Sequence, residues 1–190
     1  MYGKRRPIPK VPTQIAGLDE ILEGGLPRGR TSLACGGPGS GKTVLGLEFL
    51  CRGAMAGDPG VFVTFEESAD AVRMNAMSMG WNLAALEKAG KIVIIEARLS
   101  GDEVLSGDFD VKGLLAIVGG HARKIRARRI VMDALDVLLR VYADWHRERS
   151  ELSRLHDWLI DQKLTSVLSV KSYHNGTNGS EYEFLDFMAD

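Results

Sequence analysis

Gly36-Gly37-Pro38-Gly39-Ser40-Gly41-Lys42-Thr43 lies between a short apolar run, Thr31–Gly36, and a longer stretch, Lys42–Ala56, whose apolar residues recur near helical spacing. Glycines so placed let a backbone wrap closely around an anion and turn successive N–H groups inward. A helix starting near Lys42 adds the positive end of its dipole. The stretch fits the Walker A pattern in the strand, loop and helix setting that the pattern requires. Lys42 is then placed to reach the β- and γ-phosphates and Thr43 to offer its hydroxyl to Mg²⁺. The nucleotide set, for ATP or ADP, runs through Gly36, Gly37, Pro38, Gly39, Ser40, Gly41, Lys42, Thr43 and Val44, and Lys42 belongs to the catalytic set as well.

Working outward, apolar or β-branched runs at Thr31–Gly36, Val61–Phe65, Lys91–Ala97, Arg129–Leu135 and Leu164–Val170 read as buried strands. Between them Lys42–Ala56, Ala69–Met79, Leu83–Ala89, Val111–Arg126 and Arg149–Gln162 read as helices. Such alternation predicts an α/β fold with a mostly parallel central sheet and helices on both faces. Gly57-Asp58-Pro59-Gly60 stops the first helix and turns the chain into the next strand, while Arg98–Asp110 and Ser172–Ser180 are polar and read as loops.

A phosphate loop needs an acid at the end of a neighbouring apolar strand, and Asp133 in Arg129-Ile130-Val131-Met132-Asp133 supplies it as the second residue, with Thr43, of the metal set. Asp136 reads as solvated or capping. Val61-Phe62-Val63-Thr64-Phe65-Glu66-Glu67 puts two carboxylates at the same sheet edge. Either glutamate suits the orienting of an attacking water; strand alternation allows one of them to face the phosphates, with Glu66 favoured, and leaves the other to cap a helix with Ser68. Ser169 and Lys171 end the fifth strand on that side; Lys171 reads as a surface lysine, with nucleotide sensing or a neighbour contact as alternatives.

The 190 residues fit one domain, and 45% hydrophobic residues suffice for a buried core. A net charge of −1 lacks the strongly basic signature of a dedicated nucleic-acid binder. The basic run from His121 to Arg129 reads as a solvated helix end, with a nucleic-acid or partner patch as the alternative. Cys35 and Cys51 have neither zinc-site nor redox spacing and read as small buried side chains; Met74, Met77 and Met79 read as core filler. No stretch approaches the roughly 18 apolar residues of a membrane span and no secretory leader is visible, so a cytoplasmic location without a membrane partner is expected.

Several segments together resemble a KaiC-like ATPase of the RecA superfamily. Thr13-Gln14-Ile15-Ala16-Gly17-Leu18-Asp19-Glu20-Ile21-Leu22-Glu23-Gly24-Gly25-Leu26-Pro27-Arg28-Gly29 is similar to that family's lead-in to its Walker A strand. Glu66-Glu67 resembles its paired water-activating glutamates, Glu103-Val104-Leu105-Ser106-Gly107-Asp108-Phe109-Asp110 the segment before its third major helix, and Asp133 its Walker B acid. The resemblance implies a RecA-like P-loop fold and a homo-oligomer, often a hexameric ring, with ATP between subunits. It also implies an unidentified regulatory partner protein.

In that family a neighbour donates a Lys-x-Arg segment beyond the strand that here begins near Tyr182, and this chain stops before reaching it. The expectation is therefore a single domain, residues 1–190, truncated in its last strands and slow in hydrolysis. The clock protein's Ser-Thr acceptor pair aligns with Asp186-Phe187, which cannot carry a phosphate ester, so no autokinase or circadian role follows. Two alternatives to an ATPase stay open: a nucleotide-bound regulatory module with negligible turnover, and a RecA-type DNA motor fragment.

Overall fold

The computed structural model describes residues 8–97, 109–139, 141–142 and 144–171. Five strands form one parallel sheet: β3 (Thr31–Gly36), β4 (Gly60–Thr64), β5 (Ile92–Glu96), β6 (Arg129–Asp133) and β7 (Thr165–Lys171), in the order β3-β7-β6-β4-β5. A small antiparallel pair, β1 (Lys10–Val11) with β2 (Leu26–Pro27), precedes it and encloses the short helix α1 (Leu18–Ile21). Six further helices complete the order: α2 (Lys42–Met55), α3 (Ala69–Ser78), α4 (Leu83–Lys88), α5 (Val111–Ile125), α6 (Leu135–Leu139) and α7 (Trp145–Asp161).

Both faces of the sheet are covered, which explains why its strands carry unbroken apolar runs. Side-chain alternation divides them. Val61, Val63, Ile130, Met132, Leu168 and Val170 pack with Leu114, Leu115, Val118, Leu152, Leu155 and Leu159 from α5 and α7. Phe62, Val131, Val167 and Ile92 face the other way, against Leu47, Leu50, Cys51 and Ala54 of α2, Val72 and Ala76 of α3 and Leu83 of α4. Gly46 brings α2 close, since a Cβ there would stand 2.7 Å from Val131 Cγ1.

Helix starts are set by side chains that accept from first-turn N–H groups: Ser68 from Ala71 N at 3.1 Å, Asn82 from Ala85 N at 2.9 Å, Asp110 from Gly113 N at 2.9 Å and Asp144 from His146 N at 3.0 Å. The last corrects the sequence reading, which began this helix at Arg149 rather than Trp145. The strand expected over Arg129–Leu135 ends at Asp133, because Leu135 already begins α6.

At the N-terminal end of the sheet Arg129 is 1% exposed. Its guanidinium donates to Phe49 O (3.0 Å), Pro12 O (3.0 Å) and Asp58 Oδ2 (3.1 Å), and lies 4.6 Å from the centre of the Phe49 ring. It therefore leaves the solvated basic run in which its sequence neighbours placed it. Burial lowers its pKa, and the hydrogen bond and charge of Asp58 oppose that effect.

Two further readings are corrected. Cys35 is exposed, and Met74 and Met77 are 70% and 52% exposed on α3, whereas Cys51 is buried, which pushes its thiol up to about 12 with a further contribution from Glu48. The Ser172–Ser180 stretch, the Tyr182–Asp190 stretch and residues 98–108 of the Arg98–Asp110 stretch lie outside the described residues. Among the described residues no helix is long and apolar enough to cross a membrane.

Candidate functional site

Parallel strands end on one edge, and the register fixes what meets there: Gly36 pairs with Lys171, and Thr64 with both Asp133 and Glu96. An open cleft of about 480 Å³ lies on this edge. It is lined by Pro38, Gly39, Gly41, Lys42, Thr43 and Val44 from the loop and the start of α2, by Glu66 and Glu67 after β4, by Asp133 and Ala134 after β6, by Lys171, and by Asn75, Ser78 and Met79 of α3.

The loop has the geometry that an anion requires. Gly39 and Gly41 take positive φ values of 74° and 87°, which a side chain would strain. A Cβ added at Gly37, Gly39 or Gly41 would meet no protein atom within 4 Å, so the glycines leave open space in front of the backbone. Gly41 is the N-cap of α2, whose first N–H groups have no partner within the helix. Lys42 Nζ donates to Gly36 O and Gly37 O at 2.8 Å and to Ser40 Oγ at 3.3 Å, which holds the ammonium over the loop. Gly36, Gly37 and Ser40 each accept a hydrogen bond from Lys42 and are not among the residues that line the cleft.

Thr43 Oγ1 donates to Asp133 Oδ2 at 2.8 Å, and Ser169 Oγ makes a short hydrogen bond to Asp133 Oδ1. Asp133 is 7% exposed. One hydroxyl and one carboxylate converge there, all-oxygen donors of the kind that Mg²⁺ takes while keeping several of its waters. The donor set fits the ion.

Both glutamates line the cleft, which corrects the alternation argument. The strand ends at Thr64, and the chain bends through Glu66 and Glu67, so the two-residue period no longer applies. Thr64 Oγ1 fixes the bend by donating to Glu67 O (3.0 Å) and accepting from Glu67 N (3.1 Å). Glu67 Oε2 accepts from Asn75 Nδ2 at 2.8 Å, while both Glu66 oxygens accept from Lys171 Nζ at 2.7 and 2.8 Å. Lys171 is thus tied across the cleft rather than spread on the surface. Its own N–H donates to Asp136 Oδ1 at 3.1 Å, and Asp136, read from the sequence as solvated or capping, is 1% exposed. Asn75 carried no sequence signal, since a polar residue mid-helix reads as solvated until α3 is placed beside the cleft.

A family model described as "ATPase: KaiC" matches residues 11–190. The circadian clock protein KaiC2 of Synechocystis is 43% identical over 162 residues, covering 84% of this chain and 28% of its own length. The circadian clock oscillator protein KaiC of Synechococcus elongatus is 36% identical over 191 residues, covering 99% of this chain and 37% of its own length. The chain therefore spans about a third of these curated relatives. Among solved structures, a KaiC-like protein from Pyrococcus horikoshii superposes with a TM-score of 0.83 at 33% identity, covering 96% of this chain and 78% of that one.

Proposed function

The chain belongs to the KaiC ATPase family, with its RecA-like α/β P-loop fold, and from that premise we propose that it binds ATP with Mg²⁺ and hydrolyses it. Family membership carries nucleotide binding and ATPase-type function in general. The observation that supports the particular reading is one cleft bordered by the Lys42 ammonium, the Thr43–Asp133 pair and two glutamates.

In this reading the backbone of Gly36 to Gly41 and the N-terminus of α2 hold the phosphates, Val44 borders them, and Lys42 exchanges loop carbonyls for β- and γ-oxygens. Thr43 and Asp133 are the residues that would hold Mg²⁺, which when bound neutralises charge on the phosphates. Ser169 keeps Asp133 turned toward Thr43. Glu66, with Glu67 beside it, accepts a proton from a water whose oxygen bonds to the γ-phosphorus as the bond to the β,γ-bridging oxygen breaks, leaving ADP and phosphate. The nucleotide also promotes assembly with further copies of the chain, a reading supported by the exposed Met74 and Met77 on α3, the helix that borders the open cleft. Residues 1–190 act as one domain in this proposal.

Titration calorimetry in Mg²⁺ buffer, with size-exclusion chromatography, tests it. Wild type binds ATP and Lys42→Ala loses at least about tenfold in affinity, the scale of a charge-assisted contact to phosphate. Glu66→Gln retains binding and loses roughly 10²-fold in turnover, as removal of a general base does. A folded wild-type sample that binds no ATP overturns the proposal.

A further inference from the structure

Lys171 is held at both ends. Its backbone N–H is fixed by the buried Asp136, and its ammonium grips both oxygens of Glu66. The side chain of Lys171 is 22% exposed and that of Glu66 53%, so the lysine belongs to the wall of the cleft and the glutamate is the member with room to move. The register pairs Lys171 with Gly36, whose carbonyl accepts from Lys42, and both lysines line the cleft that the phosphate loop borders.

A carboxylate with both oxygens on one ammonium is held in that orientation and presents fewer free lone pairs to a water. A terminal phosphate entering beside the same ammonium carries more negative charge than the carboxylate and competes for it. We propose that Lys171 is a positioning residue that holds Glu66 in the cleft without triphosphate and transfers its hydrogen bonds to the terminal phosphate when ATP enters. Glu66 is thereby released to water only when the scissile group is in place. The inference rests on the ATPase reading above and deepens it; ADP, which lacks the γ-phosphate, leaves the Lys171–Glu66 pair closed.

ATP and ADP affinities are measured by calorimetry in Mg²⁺ for wild type, Lys171→Met, Glu66→Gln and the double variant, with kcat and KM for wild type, Lys171→Met and Lys171→Arg. Because Glu66 competes with the phosphate for Lys171, Glu66→Gln tightens ATP about two- to fivefold, the worth of a half-exposed ion pair. The gain is absent with ADP, and absent with ATP once Lys171 is Met. Lys171→Met weakens ATP by about tenfold while changing ADP less than about twofold. It also lowers kcat, and Lys171→Arg, which keeps the charge, restores the preference for ATP.

Glu66→Gln without effect on ATP affinity, or an equal gain in the Lys171→Met background, overturns the exchange while leaving the ATPase reading intact. Wild type that binds neither nucleotide overturns both.

Discussion

Asp19 gathers three donors on one carboxylate: Thr13 N and Thr13 Oγ1 reach Oδ1 at 2.7 Å, and Gln14 N reaches Oδ2 at 2.8 Å. Burial raises its pKa, but the bonds from Thr13 and Gln14 outweigh it, and the carboxyl sits below its ordinary 3.8. A carboxyl depressed on folding stabilises the fold fully above its unfolded value, and that contribution vanishes as pH falls through the folded value. Asp19→Asn therefore costs about 1 kcal/mol at neutral pH, and urea midpoints of the two proteins converge in the acid limb below 3.8; parallel curves down to acid would remove Asp19 from the account. Single residues are also where sequence reading has least to work with. Glycine spacing announced the phosphate loop, because backbone shape is encoded locally. Lys171 and Arg129 are set by partners far along the chain, Glu66 and Asp58, and no local pattern reveals that the one spans a cleft and the other is buried.

Helix α2 owes its closeness to the sheet to glycine. Gly46→Ala drives a methyl group into Val131 Cγ1, which β6 cannot move without disturbing β4 and β7, so a loss of about 1–3 kcal/mol is expected. Alanine is the better helix former, so a stabilised variant in urea denaturation would show that the contact yields easily. Most elements were legible because periodicity and capping act within a few residues; Gly57 to Gly60 marked the turn into β4 without ambiguity. The two boundary errors have opposite causes. Ala134 and Leu135 continue the apolar run of β6 although the chain has turned into α6, and the first turn of α7 carries polar residues whose cap, Asp144, is evident only in its bond to His146.

At the scale of the molecule, the sheet has a structural end and a chemical end. Arg129 at the first joins Phe49 of α2, Pro12 after β1 and Asp58 before β4, while Asp133 at the other end of the same strand faces the cleft. Four residue steps of about 3.3 Å place the two ends roughly 13 Å apart. Arg129→Ala removes a buried charge with its partners left behind and costs about 3–5 kcal/mol of unfolding free energy. The affinity of the folded variant for ATP should stay within about twofold, since distant sites act additively; calorimetry alongside urea denaturation checks both, and a nucleotide defect in a fully folded sample would contradict the separation. The overall architecture was readable from strand and helix alternation, but strand order was not, and strand order brings Lys171 beside Gly36. The same polarity divides the chain for protein engineering: a library randomised around Arg129 and Asp58 is sifted by whether its members fold, one around Glu66 and Lys171 by whether they turn over, and the two can be searched separately and then recombined.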